Sequence, residues 1–279
     1  MNEPSKTQKF LYTTVPGRCL LKVLTNPGVS ALGGRIVSSK TSRLAIPRFV
    51  KKHGIDLEEC ATTKFSSFND FFTRELREGA RTIPEEKELL ISPCDAHLTV
   101  HPIDRDSGFS IKNALYTVSE LLGGDEELAK RYEGGACCVF RLTPRQYHRY
   151  CYIDDGVKEG NRKIRGVLHT VHPIAGSRYR VYATNSREFS VLHTRSFGKV
   201  VQMEVGALMV GKICNYHERH AFTRGEEKGR FEFGGSTIVL LFEEGSVTFD
   251  PQVLAASQKG CEVLVHLGEP IGKACRTQG

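Results

Sequence analysis

With 279 residues, 39% hydrophobic and 25% charged, the chain has the length of one large domain or two small ones and the composition of a globular protein. No apolar run approaches the roughly 20 residues that span a bilayer. The start, Met1-Asn2-Glu3-Pro4-Ser5-Lys6, lacks the charged-then-apolar layout of a secretion signal, so a cytoplasmic protein is expected.

The net charge of +7 is unevenly placed: residues 1–52 carry ten Lys/Arg against Glu3 alone, and the remainder is slightly acidic. Charge alone admits nucleic acid or anionic lipid as a partner of this basic lobe, or simply a solvated Lys-rich helical region. Phe10–Val15 and Cys19–Leu24 read as short amphipathic helices with basic edges, divided by Pro16-Gly17 and closed by Asn26-Pro27-Gly28. Such helices lie in a membrane interface or pack on the protein's own core. Ile36 to His53 continues in the same style. Ser67 to Leu76 reads as a helix capped by Ser66 or Ser67, with Phe68, Phe71, Phe72 and Leu76 on one face for the core.

From Ile91 the pattern changes to strands, interrupted by a helical stretch from Val118 to Tyr132. Cys137–Leu142, Val167–Val171, Arg178–Ala183, Ser190–Thr194, Val200–Val205 and Val205–Gly211 read as strands. The expected class is therefore α+β: a helical amino-terminal region, then a mainly antiparallel, partly barrel-like β-rich domain. Nine cysteines, an odd number without a CxxC pair, suit reduced thiols, and their scatter with the histidines predicts no zinc site.

Phe231 to Phe242 ends the series: two glycines, Gly234 and Gly235, run into Ser236, which opens a buried strand. No side chain shields the Gly235 carbonyl, so the Ser236 hydroxyl can approach the carbonyl carbon of the peptide bond just before it. An ordinary Gly-Gly turn feeding a strand is the plain alternative. Asp95 and His148 offer a carboxylate and an imidazole that could act with Ser236, since an imidazole can take the hydroxyl proton and a carboxylate can orient the ring. No G-x-S-x-G elbow, P-loop, Rossmann glycine fingerprint or H-E-x-x-H is present.

The chain resembles the phosphatidylserine decarboxylases, a pyruvoyl-dependent family. The resemblance runs in order through Phe68–Arg74, Ser92–Asp95, Tyr147-His148-Arg149, His169–Pro173, Asn185–Glu188, Val205–Ala207, Lys228–Thr237 and Leu267–Gly272. It implies that Ser236 attacks the Gly235 carbonyl, that the chain divides into 1–235 (β chain) and 236–279 (α chain), and that Ser236 becomes a covalent pyruvoyl group. That group would form a Schiff base with the substrate amine and accept electrons as CO₂ leaves. The resemblance further implies a catalytic domain over 65–279, a membrane-contacting region over 1–64, and phosphatidylserine in an anionic membrane as substrate. A peripheral position at the inner face of the cell membrane and a homo-oligomer of two-piece protomers follow from it; no metal or nucleic acid does.

One position departs from the family pattern. After Tyr-His-Arg and one further residue, relatives carry a second histidine; here it is Cys151. His148 keeps the first histidine, and His169 stands where relatives often have an aromatic residue. Asp95 is accordingly expected to orient His148 or His169 as the base for Ser236, with Arg187, Arg178 or Arg180 on the substrate's phosphate or carboxylate, or else in salt bridges. The rival readings are a decarboxylase of another amino-acid-bearing substrate and an unprocessed lipid-binding relative.

Overall fold

The computed structural model describes residues 6–106, 108–111, 114–171, 179–207, 212–232 and 236–275. The expectations for His172, Arg178, residues 208–211, Gly234 and Gly235 lie outside the described residues.

Five helices fill the amino-terminal quarter: α1 (Lys6–Thr13), α2 (Val15–Leu24), α3 (Pro27–Val37), α4 (Ile46–His53) and α5 (Phe68–Phe72), with a 3-10 turn over Lys40–Ala45. Pro16 opens α2 instead of dividing two helices: the Thr14 hydroxyl accepts from Gly17 N at 3.1 Å, and a first-turn proline gives up no intrahelical bond. Asn26 caps α3 in the same way, and Gly54, at φ +59°, ends α4. Ser67 caps α5, accepting from Asp70 N at 3.1 Å. The helix stops at Phe72, short of the expected Leu76, because the next residues bond a neighbouring strip instead: Ala61 N donates to Glu75 O and Arg77 N to Glu59 O, both at 2.9 Å.

The strands are β1 (Leu89–Ile91), β2 (Ala96–Pro102), β3 (Gly108–Ile111), β4 (Ala114–Thr117), β5 (Ala136–Leu142), β6 (Arg149–Cys151), β7 (Gly156–Lys158) and β8 (Arg162–Ile164). They continue with β9 (Arg187–Thr194), β10 (Lys199–Val205), β11 (Ile213–Asn215), β12 (His220–Phe222) and β13 (Glu227–Phe231). β14 (Ser236–Phe242), β15 (Val247–Phe249), β16 (Val263–Val265) and β17 (Pro270–Ala274) complete them. Short helices α6 (Val118–Leu121), α7 (Glu126–Lys130), α8 (Val181–Thr184) and α9 (Pro251–Gln258) lie between.

The main sheet is antiparallel, in the order β12-β7-β9-β10-β14-β5-β2-β16, with β8 also on β9. Its path has two open ends, β12 and β16, so among the described residues there is no closed barrel; the sheet is layered between two cores. β6 joins β13 and β11 in a second sheet, and β17 joins β1 and β15 in a third. Every residue of β14 is buried. One face of the sheet, with Phe140, Leu142, Ile238 and Leu240, packs on Tyr150, Cys151 and Val253. The other, with Val139, Val201, Met203, Val239 and Leu241, packs on Leu11, Tyr12 and Leu21 of α1 and α2. The uninterrupted apolar run of β14 is the signature of a strand covered on both faces.

The expected helical stretch divides in two, and two expected strands, Val167–Val171 and Arg178–Ala183, are not strands among the described residues. Val118 to Tyr132 forms α6 and α7, broken at Gly123 and Gly124, whose φ values are +74° and +94°. Val167–Val171 makes only one parallel bridge, Val167 to Asn185. The described part of Arg178–Ala183 leads into α8. β-branched composition suggests strands there, but both edges of β9 are already taken, by β10 and by β7 with β8. The 167–170 segment bonds elsewhere: Leu168 N to Thr25 O at 3.1 Å and Thr170 N to Tyr12 Oη at 3.0 Å.

Candidate active site

Ser236 is the first residue of β14, paired with Leu142 of β5. It is 0% exposed, and its Oγ has no hydrogen-bond partner among the described residues. A hydroxyl buried this way costs stability unless something else uses it. On the β10 side the last pair is Val205 with Thr237, so continuing the register brings Gly206 opposite Ser236. On the β2 side, His97 pairs with Arg141, so Ala96 lies opposite Leu142. Asp95, Leu142, Ser236 and Gly206 thus gather at one end of four adjacent strands, with strand spacings of about 4.8 Å.

The chain leaving β5 reaches His148 six residues beyond Leu142, and Phe231 N, at the end of β13, donates to His148 O at 2.9 Å. The imidazole is buried and packs on Phe72 at 4.0 Å between ring centroids. Its Nδ1 lies 2.8 Å from Gln146 O. A carbonyl only accepts, so Nδ1 carries the proton and the basic lone pair of the neutral ring is on Nε2. Phe72, read from sequence as core packing, therefore also seats this ring.

Cys151 lies on β6, its N donating to Pro93 O at 2.9 Å, two residues before Asp95. The position at which relatives carry the second histidine is thus beside the Asp95 segment. Burial pushes the Cys151 thiol up to about 12, so it is protonated at neutral pH and is no base.

His169 reaches the same end of the sheet from the other side. Its N donates to Asn185 Oδ1 at 3.1 Å, and Asn185 Nδ2 donates to His169 O at 2.8 Å and to Gly206 O at 2.7 Å. Asn185, fully buried, ties the His169 backbone to the residue opposite Ser236. The ring stacks on Tyr179 at 4.1 Å and meets Tyr12 of α1 edge-on at 6.2 Å. Nδ1 has no partner among the described residues, and desolvation holds the imidazole pKa below its ordinary value, leaving the ring neutral.

Asp95 has arginine partners in place of imidazole ones. Arg81 grips it with Nε at 3.0 Å and Nη2 at 2.6 Å, and Leu267 N donates to Oδ1 at 2.8 Å. β2 is two strands from β14, so about 10 Å separates the two positions across the sheet. Backbone contacts bring the segments that carry His148 and His169 to the Ser236 end of the sheet, the His169 ring on the Tyr12 side, and Asp95 lies at the margin.

Two of the three arginines read as substrate contacts, Arg187 and Arg180, are otherwise engaged. Arg187, 4% exposed, donates to Leu121 O, Ala183 O, Asn185 O and Glu120 O, and burial pushes its pKa down to about 10. Arg180 pairs with Glu120. Sequence reading missed a buried polar network on the Ser236 face of the sheet. There Lys228 Nζ donates to Glu204 Oε1 at 2.7 Å and Asn215 Oδ1 at 2.8 Å, and Asn215 Nδ2 donates to Glu204 and Glu188. Glu204 and Lys228 are both fully buried. The signal lay in β10, where Gln202 and Glu204 alternate with apolar residues.

Comparison with known proteins identifies the family. Residues 68–273 match the family described as phosphatidylserine decarboxylase. The chain is 49% identical over 266 residues to phosphatidylserine decarboxylase proenzyme 2 of Clostridium acetobutylicum, covering 95% of this chain and 91% of that one. It is 41% identical to the phosphatidylserine decarboxylase proenzyme of Ruminiclostridium cellulolyticum, with 94% and 89% covered, and 38% identical to one from Clostridium botulinum, with 96% and 92% covered.

Proposed function

Since the chain belongs to the phosphatidylserine decarboxylase family, we infer that it is a proenzyme that converts phosphatidylserine to phosphatidylethanolamine and CO₂ after cutting itself between Gly235 and Ser236. The observation that carries the reading is the buried Ser236 Oγ at the head of β14, without a hydrogen-bond partner among the described residues and near the segments that carry His148 and His169. A pyruvoyl group fits here: the residue it derives from carries a buried hydroxyl that the rest of the fold leaves unused among the described residues. In place, it supplies an electrophilic ketone that holds the substrate amine and draws electrons as CO₂ departs.

The chain's own part is proton management. His148 Nε2 takes the Ser236 hydroxyl proton as Oγ adds to the Gly235 carbonyl carbon; the Ser236 nitrogen is expelled and an ester replaces the amide. Removal of the Ser236 α-proton then expels the Gly235 carboxylate and leaves an unsaturated residue, which loses ammonia to water. His169, neutral and held beside Gly206, is the second base. Asp95, ion-paired to Arg81, fixes the end of the sheet on which these groups sit and is available to an imidazole only after Arg81 yields. The two pieces, 1–235 and 236–279, remain one protomer.

The amino-terminal helices suit a peripheral site on an anionic membrane. Phe10, Val15, Leu20, Val23, Leu32 and Ile36 are exposed on α1 to α3, among Lys9, Arg18, Lys22 and Arg35. A groove of about 710 Å³ is lined by Ile46, Pro47, Val50, Leu57 and Phe65 together with Arg43, Lys51 and Lys64. Acyl chains and a phosphate match that mixture. No described helix is long and apolar enough to cross a membrane.

The test is intact mass under denaturing conditions, beside a Ser236→Ala control. Two species, 1–235 and a pyruvoyl-capped 236–279, with a single full-length mass for the control, are expected. A full-length mass for both would remove the self-cleavage reading and favour the unprocessed lipid-binding one; two species without CO₂ release from phosphatidylserine would favour another amino-acid-bearing substrate.

A further inference from the structure

Away from Ser236, His217, His220 and Glu226 bring one nitrogen each and a carboxylate oxygen within 4.8 Å of one another. His217 lies in the loop between β11 and β12, His220 opens β12, and Glu226 immediately precedes β13. The two rings face each other at 3.7 Å and 10°. The His220 Nε2 to Glu226 Oε1 distance is 2.6 Å.

The surroundings hold these side chains in place. Lys158 Nζ donates to His217 O at 2.9 Å and Glu218 O at 2.6 Å, and Asn161 Nδ2 donates to His217 O at 2.9 Å, so the loop backbone is clamped from β7 and its neighbour. Thr223 N donates to Glu226 Oε2 at 2.9 Å. Tyr152 Oη lies 3.5 Å from His217 Nδ1, where an outer hydroxyl can fix the orientation of a ligating ring. The side chains of His220 and Glu226 are about a third exposed, so an ion can enter from solvent.

We propose that His217, His220 and Glu226 form a site for a divalent transition-metal cation, zinc or cobalt in class, distinct from the Ser236 centre. Two imidazoles and one carboxylate are a borderline donor set, which selects such ions over magnesium or calcium. Ligands around a zinc ion at about 2.0–2.1 Å stand roughly 3.3 Å apart, so the His220–Glu226 pair opens from its present 2.6 Å, an adjustment that side-chain rotation supplies. The ion takes the place of the His220–Glu226 hydrogen bond, and His220 ligates through Nε2 as a neutral ring with its proton on Nδ1. Bound there, it joins the β11–β12 loop to the turn that starts β13, the strand running toward the cleavage point. The site's role is to brace that strand.

The experiment uses the full untagged chain, stripped with chelator, and titrates Zn²⁺ or Co²⁺ alone. Wild type is expected to bind one equivalent more than His217→Gln or His220→Gln, or to bind it at least tenfold more tightly. Its cobalt spectrum should show visible d–d bands without thiolate charge transfer, and zinc should raise its melting temperature but not that of the variants. Glu226→Gln, which keeps an acceptor for Thr223, covers the case in which a histidine variant fails to fold, and should also weaken binding at least tenfold. Equal stoichiometry and affinity in wild type and folded variants would overturn the proposal. So would a cobalt spectrum dominated by thiolate ligation, which would assign the ion to the cysteines.

Discussion

The proton on His148 Nδ1 is fixed by a backbone carbonyl, so the ring's reactive nitrogen is set by the fold before any bond is cut. Loss of a general base costs about 10²- to 10⁴-fold. His148→Ala is expected to slow the appearance of the two pieces by at least about 10²-fold, and His169→Ala by less; wild-type rates in both would remove both imidazoles from the mechanism. His169 also marks acid sensitivity. Its folded pKa is depressed, so its contribution to stability is present above the unfolded value near 6.5 and is lost as pH falls through the folded one. Denaturation midpoints should therefore drop between pH 7 and 5, and drop less in His169→Phe, which keeps the stack on Tyr179. Lys228→Met leaves Glu204 buried without its ammonium, in a setting where burial already raises the carboxyl pKa, and should cost about 3–5 kcal/mol in chemical denaturation. At this scale the place of Ser236 at the head of a buried strand was legible from the apolar run that it opens. Glu204 was not, since an acid alternating with apolar residues looks solvated until a lysine from another strand is seen to meet it.

Elements were legible where the local signal agreed with the packing. Ser66-Ser67 announced the cap of α5, whereas Asn26, read as the end of α2, caps α3, and the apolar run of β14 announced a buried strand. The 167–171 run carried a strand's composition without a sheet edge to join, and only the pairing of β9 with β8 and β7 explains its irregular path. The helical region has a similar double character. Leu11, Tyr12 and Leu21 belong to the core beneath the sheet, whereas Leu20 and Val23 of α2 stay exposed beside Arg18 and Lys22. Helices that pack on one side and offer apolar and basic groups on the other suit an interfacial position, at about 1 kcal/mol per basic residue near an anionic surface. Sedimentation with vesicles should show binding when phosphatidylserine is included and release as salt rises. Leu20→Asp with Val23→Asp should abolish binding without lowering the melting temperature. Binding indifferent to salt and to both substitutions would place the contact elsewhere.

Across the whole molecule, the amino-terminal layer and the Ser236 end of the sheet are contiguous. Phe72 shares a cluster with Ile46 of the basic groove and packs on His148, and Tyr12 of α1 bonds the segment that carries His169. The interleaving of the piece beyond Ser236 is more consequential. β14 lies between β10 and β5, β16 completes the sheet beside β2, and β17 lies between β1 and β15. The 44 residues from 236 onward are therefore the middle of the structure and no appendage to it. An uncut chain threads that strand into place as an intramolecular event, whereas after the cut the same step needs two molecules to meet. The architecture can then be inherited from the precursor but not readily rebuilt. Wild-type protein, once unfolded in denaturant, should recover poorly and in a concentration-dependent way, while Ser236→Ala should recover fully at any dilution; equal recovery would show that the severed chain still carries its own assembly instructions. Maturation, on this view, is a one-way door: the molecule keeps a shape whose instructions it has cut in two.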